Sequence, residues 1–141
     1  DAPRCRYLLP MPNDPTLQQL SQQCRTFVEE RDWAQFHNPR NLAMALSVEA
    51  SELLELYLWS TDDGPQPMTD ARREKVAGEA ADVLMCLLNF CNQAEIDLGE
   101  ALVDKLVVAR RKYPADRVRG KALKYHEYDE WKDEGGGSDS P

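Results

Sequence analysis

Two apolar seams, each broken at one place by a glutamate, constrain this chain more than any other feature. Leu42, Leu46, Glu49, Leu53 and Leu56 step by 4, 3, 4, 3, and Val76, Glu79, Val83, Cys86 and Phe90 step the same way. That stepping is the core seam of packed helices, so both segments read as helices that share a core. Each glutamate also opens an acid pair, Glu49 with Glu52 and Glu79 with Asp82. At i, i+3 both acids of a pair lie on one helical face, a turn apart. An ionised carboxylate in a helix–helix core is costly unless something compensates it. The chain carries 25 acidic residues in 141, so one such pair on a solvated face would arise by chance. Two pairs, each with its first acid where a leucine is expected, are harder to assign to chance. Facing each other, the seams would gather all four acids in one place. A hard divalent cation with oxygen ligands is the simplest compensation, with Mg²⁺ as the default.

The remaining signals are helical too. Pro3, Pro10 and Pro12 and a lack of periodicity make residues 1–14 an extended arm. A first helix fits about 15–33, with Leu17, Leu20, Cys24, Phe27 and Val28 at helical spacing. The stretch 32–37 is a loop or short turn. Asn38 as N-cap and Pro39 at the first helical position start a second helix over about 39–59. Ser60 through Pro65 form a strong loop signal. Thr69 caps a third helix over about 70–95, with Asp70 favourable to its dipole. Gly78, directly before Glu79, fits either close approach of a helix or ligand, or simple tolerance. A fourth helix fits 98–112 and stops before Pro114. Residues 15–125 thus read as one domain, and 126–141 as an acidic tail expected to be disordered. No strand pattern stands out. The expected fold is all-α, a bundle of four to five helices, with helices two and three antiparallel and carrying the acid pairs.

A length of 141 residues suits one domain with a real core, and a net charge of −8 argues against a nucleic-acid binder. No apolar run reaches the length of a membrane span. Cys5, Cys24, Cys86 and Cys91 form no C-x-x-C and no regular framework, which suits reduced thiols in an intracellular, cytoplasmic protein. Residue 1 is Asp rather than Met, so a removed targeting segment is the other expectation.

Several uses of a carboxylate cluster fail on motif grounds. His37 and His126 complete no Glu-x-x-His, as a ferritin-like di-iron site requires. No EF-hand loop and no P-loop is present. An all-oxygen Mg²⁺ site remains, and Mg²⁺ commonly shares its shell with substrate phosphates. Phosphoryl chemistry on a nucleotide or another polyphosphate follows. Candidate phosphate-binding cations are Lys105, Arg110, Arg111 and Lys112 on the fourth helix, with Arg40 at the start of the second. Trp33, Phe36, His37 and Trp59 are candidates for an apolar slot that holds a base. Three of them cluster in a loop, where function concentrates.

Glu49-x-x-Glu52, the spacer 53–78, then Glu79-x-x-Asp82 resembles the signature of the MazG-like all-α nucleoside triphosphate pyrophosphatases. Residues 30–42, with Trp33, Phe36, His37 and Asn38-Pro39, are similar to the dCTP pyrophosphatase branch, as are 52–59 and Arg110-Arg111-Lys112-Tyr113-Pro114. The likeness covers about 16–125. It implies Mg²⁺-dependent hydrolysis of a (deoxy)nucleoside triphosphate to monophosphate and pyrophosphate, an activity of nucleotide-pool sanitation. Glu49, Glu52, Glu79 and Asp82 would be the catalytic and metal-holding acids. Trp33, Phe36, His37 and Trp59 would line the base and sugar pocket, and Lys105, Arg111 and Lys112 would meet phosphates. A homodimer or homotetramer is implied.

Three substrate-pocket positions depart from that branch. Cys24 stands where it has a histidine, Cys86 where it has a tyrosine, and Ala109 where it has an asparagine. A pocket that loses hydrogen-bonding groups loses discrimination. The expectation is a bias to pyrimidine deoxynucleotides, dCTP and related or modified cytosines included, with broad tolerance. The rival expectations are a dimeric dUTPase-like hydrolase and a catalytically silent helical module that binds a protein partner.

Overall fold

Short polar side chains set one residue ahead of the apolar periodicity decide where the first three helices begin. The structure is a computed structural model and describes residues 13–58 and 68–121. Helix α1 spans Leu17–Glu29. Thr16 caps it: its hydroxyl accepts from the Gln19 backbone N–H at 3.2 Å, and the Gln19 side chain accepts from the Thr16 N–H at 2.8 Å. This reciprocal box satisfies two of the orphan donors at the helix start. The sequence periodicity extends the helix to residue 33, but it ends at Glu29. Asp32 turns the chain through a φ of 53°, a left-handed conformation that Asp tolerates better than most residues. A 3-10 turn, Ala34–Phe36, follows.

Helix α2 spans Pro39–Glu55, and the Asn38 side chain accepts from the Asn41 N–H at 2.9 Å. Such a cap is worth about 1 kcal/mol. Past Glu55 the expected helix tightens into a turn, with Tyr57 N–H donating to the Leu54 carbonyl at 2.9 Å. Helix α3 spans Asp70–Gln93 behind Thr69, whose hydroxyl accepts from the Arg72 N–H at 3.3 Å. It stops two residues earlier than the periodicity predicts, and Glu95, at a φ of 56°, redirects the chain. Helix α4 spans Leu98–Lys112, as expected, and a single-turn α5, Ala115–Val118, follows Pro114 without having been anticipated. The described residues contain no strand. None of their helices is long and apolar enough to cross a membrane. Of the expected arm and tail, all but Asn13 and Asp14 lies outside the described residues.

The chain divides into two compact units, Asp1–Gly99 and Glu100–Pro141. In the first, α2 and α3 form the principal pair and α1 packs on α3. The α2–α3 pair is antiparallel: the Arg72 guanidinium, near the start of α3, donates to the Leu56 carbonyl at the end of α2 at 3.1 Å and covers the Tyr57 ring at 4.8 Å. The two seams are the covered sides of this pair, with Leu42 buried and the other nine seam residues half-buried. Full burial of a leucine side chain contributes about 2 kcal/mol over its exposure. Between α1 and α3, Ser21 donates to the Asn92 side-chain oxygen at 2.7 Å, and the Asn92 amide nitrogen donates to the Ser21 carbonyl at 3.0 Å. In the second unit, Leu102, Val103, Leu106, Val107 and Val108 of α4 are all exposed.

Candidate active site

The glutamates that break the seams face each other across the α2–α3 pair. Carboxylate oxygens of Glu49 on α2 and of Glu79 and Asp82 on α3 all lie within 4.8 Å of one another. Glu49 and Glu79 are half-buried. None of the three makes an ion pair with a described residue. Glu52 is exposed on the next turn of α2 and stands outside this group, yet its charge reaches Glu49. Burial first, then repulsion from Glu52, Asp82 and Glu79, pushes the Glu49 carboxyl above its ordinary range. The cluster therefore holds more negative charge than its surroundings compensate. Three hard oxygen donors in this arrangement fit a hard divalent cation. Glu49, Glu79 and Asp82 could hold such an ion, with Glu52 one turn away as a fourth donor.

Cys86 follows on α3 one turn beyond Asp82. Burial, then the negative charge of Glu49 and Asp82, raises its thiol, which stays protonated and unreactive at neutral pH. Cys24 on α1 is half-buried, and burial raises its thiol too, against a smaller opposing backbone hydrogen bond. Both are free thiols.

The loop between α1 and α2 is well braced. The Gln35 amide donates to the Asp32 carbonyl and carboxylate at 2.9 and 2.8 Å, and the Asn41 amide donates to the Phe36 carbonyl at 3.1 Å. On this frame Trp33 meets Phe27 edge to face, with ring centroids 5.9 Å apart, and Arg31 lies over the other ring of that pair at 3.7 Å. Trp33 keeps 45% of its surface exposed and Phe36 keeps 62%. His37 is half-buried and lines a cavity with Arg25, Val28, Asn89 and Asn92. Trp59 lies outside the described residues. Lys105, Arg111 and Lys112 are exposed along α4, in the other unit.

Two features of this region were not anticipated from the sequence. Arg25 and Asn92 are hydrogen-bonded to each other at 3.3 Å, and Asn89 shares their cavity. Asn89 and Asn92 sit inside the apolar run 83–91 and its end, where a polar residue at helical spacing from Asp82 was the available signal. Gly78, in turn, has nothing within 4 Å of where a Cβ would stand. Among the described residues none closely approaches Gly78.

The comparisons with known proteins agree with this architecture. The model of the MazG-like family matches residues 44–127, a stretch that contains both acid pairs. dCTP pyrophosphatase 1 of Homo sapiens is 41% identical over 116 residues, which cover 81% of this chain and 68% of that protein. dCTP pyrophosphatase 1 of Bos taurus is 40% identical over 115 residues, covering 80% and 68%. The crystal structure of a pyrophosphatase from Archaeoglobus fulgidus superposes with a TM-score of 0.65 at 34% identity, over 75% of this chain and 99% of that one. With the family model spanning more than half of its length and both acid-bearing helices in the matched region, the chain belongs to the MazG-like family.

Proposed function

We propose that this chain is a dCTP diphosphatase-like hydrolase that converts (deoxy)nucleoside triphosphates to the monophosphate and pyrophosphate, with Mg²⁺ held by Glu49, Glu52, Glu79 and Asp82. The observation that carries this reading is the uncompensated convergence of Glu49, Glu79 and Asp82 at the centre of an apolar seam. A silent module gains nothing from charge placed there. Kinship with the dCTP pyrophosphatase 1 proteins supports the reaction class and favours dCTP and related pyrimidine deoxynucleotides.

When bound, Mg²⁺ supplies positive charge opposite the phosphate oxygens and makes a water more acidic. The protein's part is to position the reactants. The acids hold their geometry because each sits mid-helix, between seam residues that lock α2 against α3. The aromatic loop, with Trp33 and Phe36 exposed and His37 half-buried, offers the base a surface, and Trp59 is proposed to complete it. Cys24 and Cys86 are proposed to line the sugar and base pocket as small, neutral groups. Lys105, Arg111 and Lys112 are proposed to neutralise the leaving pyrophosphate.

A homo-oligomer, dimer or tetramer, belongs to the same proposal. Its support is the outer side of α2, opposite the seam, where Met44, Val48 and Leu54 are all more than half exposed, and the turn after it, where Leu58 is too. Ser47 and Ser51 on that side donate to backbone carbonyls of their own helix at 3.0 and 2.8 Å, so they ask for no partner. Large apolar side chains exposed on one side of a helix suit an interface. Free thiols at Cys24, Cys86 and Cys91 suit a cytoplasmic location.

The test is product analysis on a panel of canonical and modified dNTPs, with Mg²⁺ and then with EDTA. Monophosphate plus pyrophosphate, formed only with the metal, is the expected result. Release of orthophosphate, or turnover that survives EDTA, would overturn it.

A further inference from the structure

A cavity of about 120 Å³ opens where α1, the loop 30–37 and the last turns of α3 meet. His37 and Ala34 line it from the loop, Arg25, Val28 and Glu29 from α1, and Asn89, Asn92 and Gln93 from α3. Its polar groups fall into two kinds. Asn92 is committed: its side-chain oxygen accepts from Ser21 at 2.7 Å and from Arg25 at 3.3 Å, and its nitrogen donates to the Ser21 carbonyl at 3.0 Å. Those three contacts leave one orientation for the Asn92 amide, and they hold Arg25 at the cavity. Asn89, Gln93, the His37 ring and the exposed Glu29 carboxylate are uncommitted. Their side chains make no hydrogen bond with any described residue. Asn89 is half-buried and its amide still reaches solvent, so its donor and acceptor are open to a ligand that enters the cavity.

The cavity also stands in register with the acid cluster. Asn89 is at i+7 from Asp82, two turns along the same side of α3 and about 10 Å along its axis. Gln93 is one turn farther. Met85 and Cys86 lie between, at i+3 and i+4 from Asp82. The separation matches the reach of a nucleotide from its phosphates to the polar edge of its base.

We propose that this cavity reads the substrate's base, with Asn89 and Gln93 as specificity-determining residues and Arg25 as a fixed donor. The inference rests on the pyrophosphohydrolase reading above and names a part of that site the aromatic loop does not supply. A carboxamide offers a two-proton donor and an acceptor side by side. That suits a pyrimidine edge, where an amino or carbonyl group adjoins a ring nitrogen. Arg25 can only donate, and suits the base's carbonyl oxygen. Because neither the Asn89 nor the Gln93 amide is pinned by a neighbour, each can turn over to serve an amino or a carbonyl group. Selection among pyrimidines is then shallow, as the small side chains at positions 24 and 86 also suggest.

The test compares kcat/KM for dCTP, dTTP, dUTP, dATP and the abasic deoxyribose 5′-triphosphate, with Mg²⁺, for the wild type, Asn89→Ala, Gln93→Ala and Asn89→Asp. Each alanine is expected to lower kcat/KM for dCTP about 10-fold, the value of one hydrogen bond, and to leave the abasic substrate unchanged. Asn89→Asp, an acceptor only, is expected to move the ranking from dTTP and dUTP toward dCTP, a change no purely structural role would produce. Gln93 is exposed on its helix, so Gln93→Ala remains informative if changes at Asn89 disturb folding. A ratio of dCTP to abasic turnover that is unchanged in both alanine variants, or a wild type that turns over the abasic triphosphate as fast as dCTP, would overturn the proposal and leave the hydrolase reading standing. A wild type that hydrolyses no triphosphate would overturn both.

Discussion

The α2–α3 pair and helix α4 carry opposite imbalances. Along α2 and α3 the seams are covered, and at their centre charge occupies places where apolar contact is expected: Glu49 and Glu79 face each other with Asp82 beside them. Along α4 the reverse holds, and Leu102, Val103 and Leu106 are between 46% and 60% exposed. A folded domain has no reason of stability for either arrangement. Charge in a seam calls for a cation, and an aliphatic surface in water calls for another protein surface. The comparison separates the acid-bearing sides of α2 and α3, proposed to serve chemistry, from the aliphatic surface of α4, proposed with the outer side of α2 to serve assembly.

Filling the seam is the sharpest way to break that contrast. Glu49→Leu is expected to lower hydrolysis at least about 100-fold, since the cation would lose a donor, and to raise the melting temperature of the metal-free protein. A variant that kept wild-type turnover would refute the placement of the metal. Next in size is the effect of the ion itself. Mg²⁺ at about 100 times its dissociation constant should stabilise the wild type by about 2.7 kcal/mol, read as a shift in thermal melting, and should leave Glu49→Leu nearly unmoved.

On the other side of the comparison, Leu106→Asp should weaken assembly without touching the acids. Light scattering is expected to show a smaller species than the wild type at equal concentration. A wild type that is already monomeric would remove α4 from the assembly half of the contrast. Smaller still is Gly78→Ala. With open space where the Cβ would stand, it should stabilise α3 by up to about 1 kcal/mol, measured by denaturant unfolding. Destabilisation there would mean that a partner copy or a ligand approaches Gly78 closely.

The pH dependence of the metal-free protein follows from the raised carboxyl of Glu49. A carboxyl raised on folding binds its proton more tightly in the native state than in the unfolded one. Its contribution to stability is therefore greatest at low pH and falls as pH rises through and above the ordinary glutamate value of about 4.3. In EDTA, the stability advantage of Glu49→Gln over the wild type should grow from acid to neutral pH. An advantage that shrank over that range would contradict the charge crowding at the cluster.

The covered core was legible because periodicity and burial express the same geometry. The ten seam positions are the covered sides of α2 and α3, and Asn38, Pro39 and Thr69 mark helix starts by mechanisms that act within four residues. The end of α1 was not legible: helical spacing continues through residue 33, and only the left-handed turn at Asp32 breaks it. The Thr16–Gln19 capping box is written in the sequence as T-x-x-Q, beside the stronger proline signals of the preceding segment. The convergence of Glu49, Glu79 and Asp82 could be reasoned from two seams that had to meet. The pairing of Asn92 with Ser21 and Arg25 could not, because it joins residues about seventy positions apart and depends on how α1 lies on α3. Lys105, Arg111 and Lys112 illustrate a different limit: a helical run of cations looks the same whether it meets phosphate or water.

The most direct test is a crystal grown with Mn²⁺ in place of Mg²⁺ and measured for anomalous scattering. An anomalous peak within coordination distance of Glu49, Glu79 and Asp82 is the predicted result, with Glu52 the expected fourth donor. A protein that hydrolyses dCTP in Mn²⁺ solution yet shows its anomalous peak elsewhere, or none, would contradict the assignment of these acids as the metal centre.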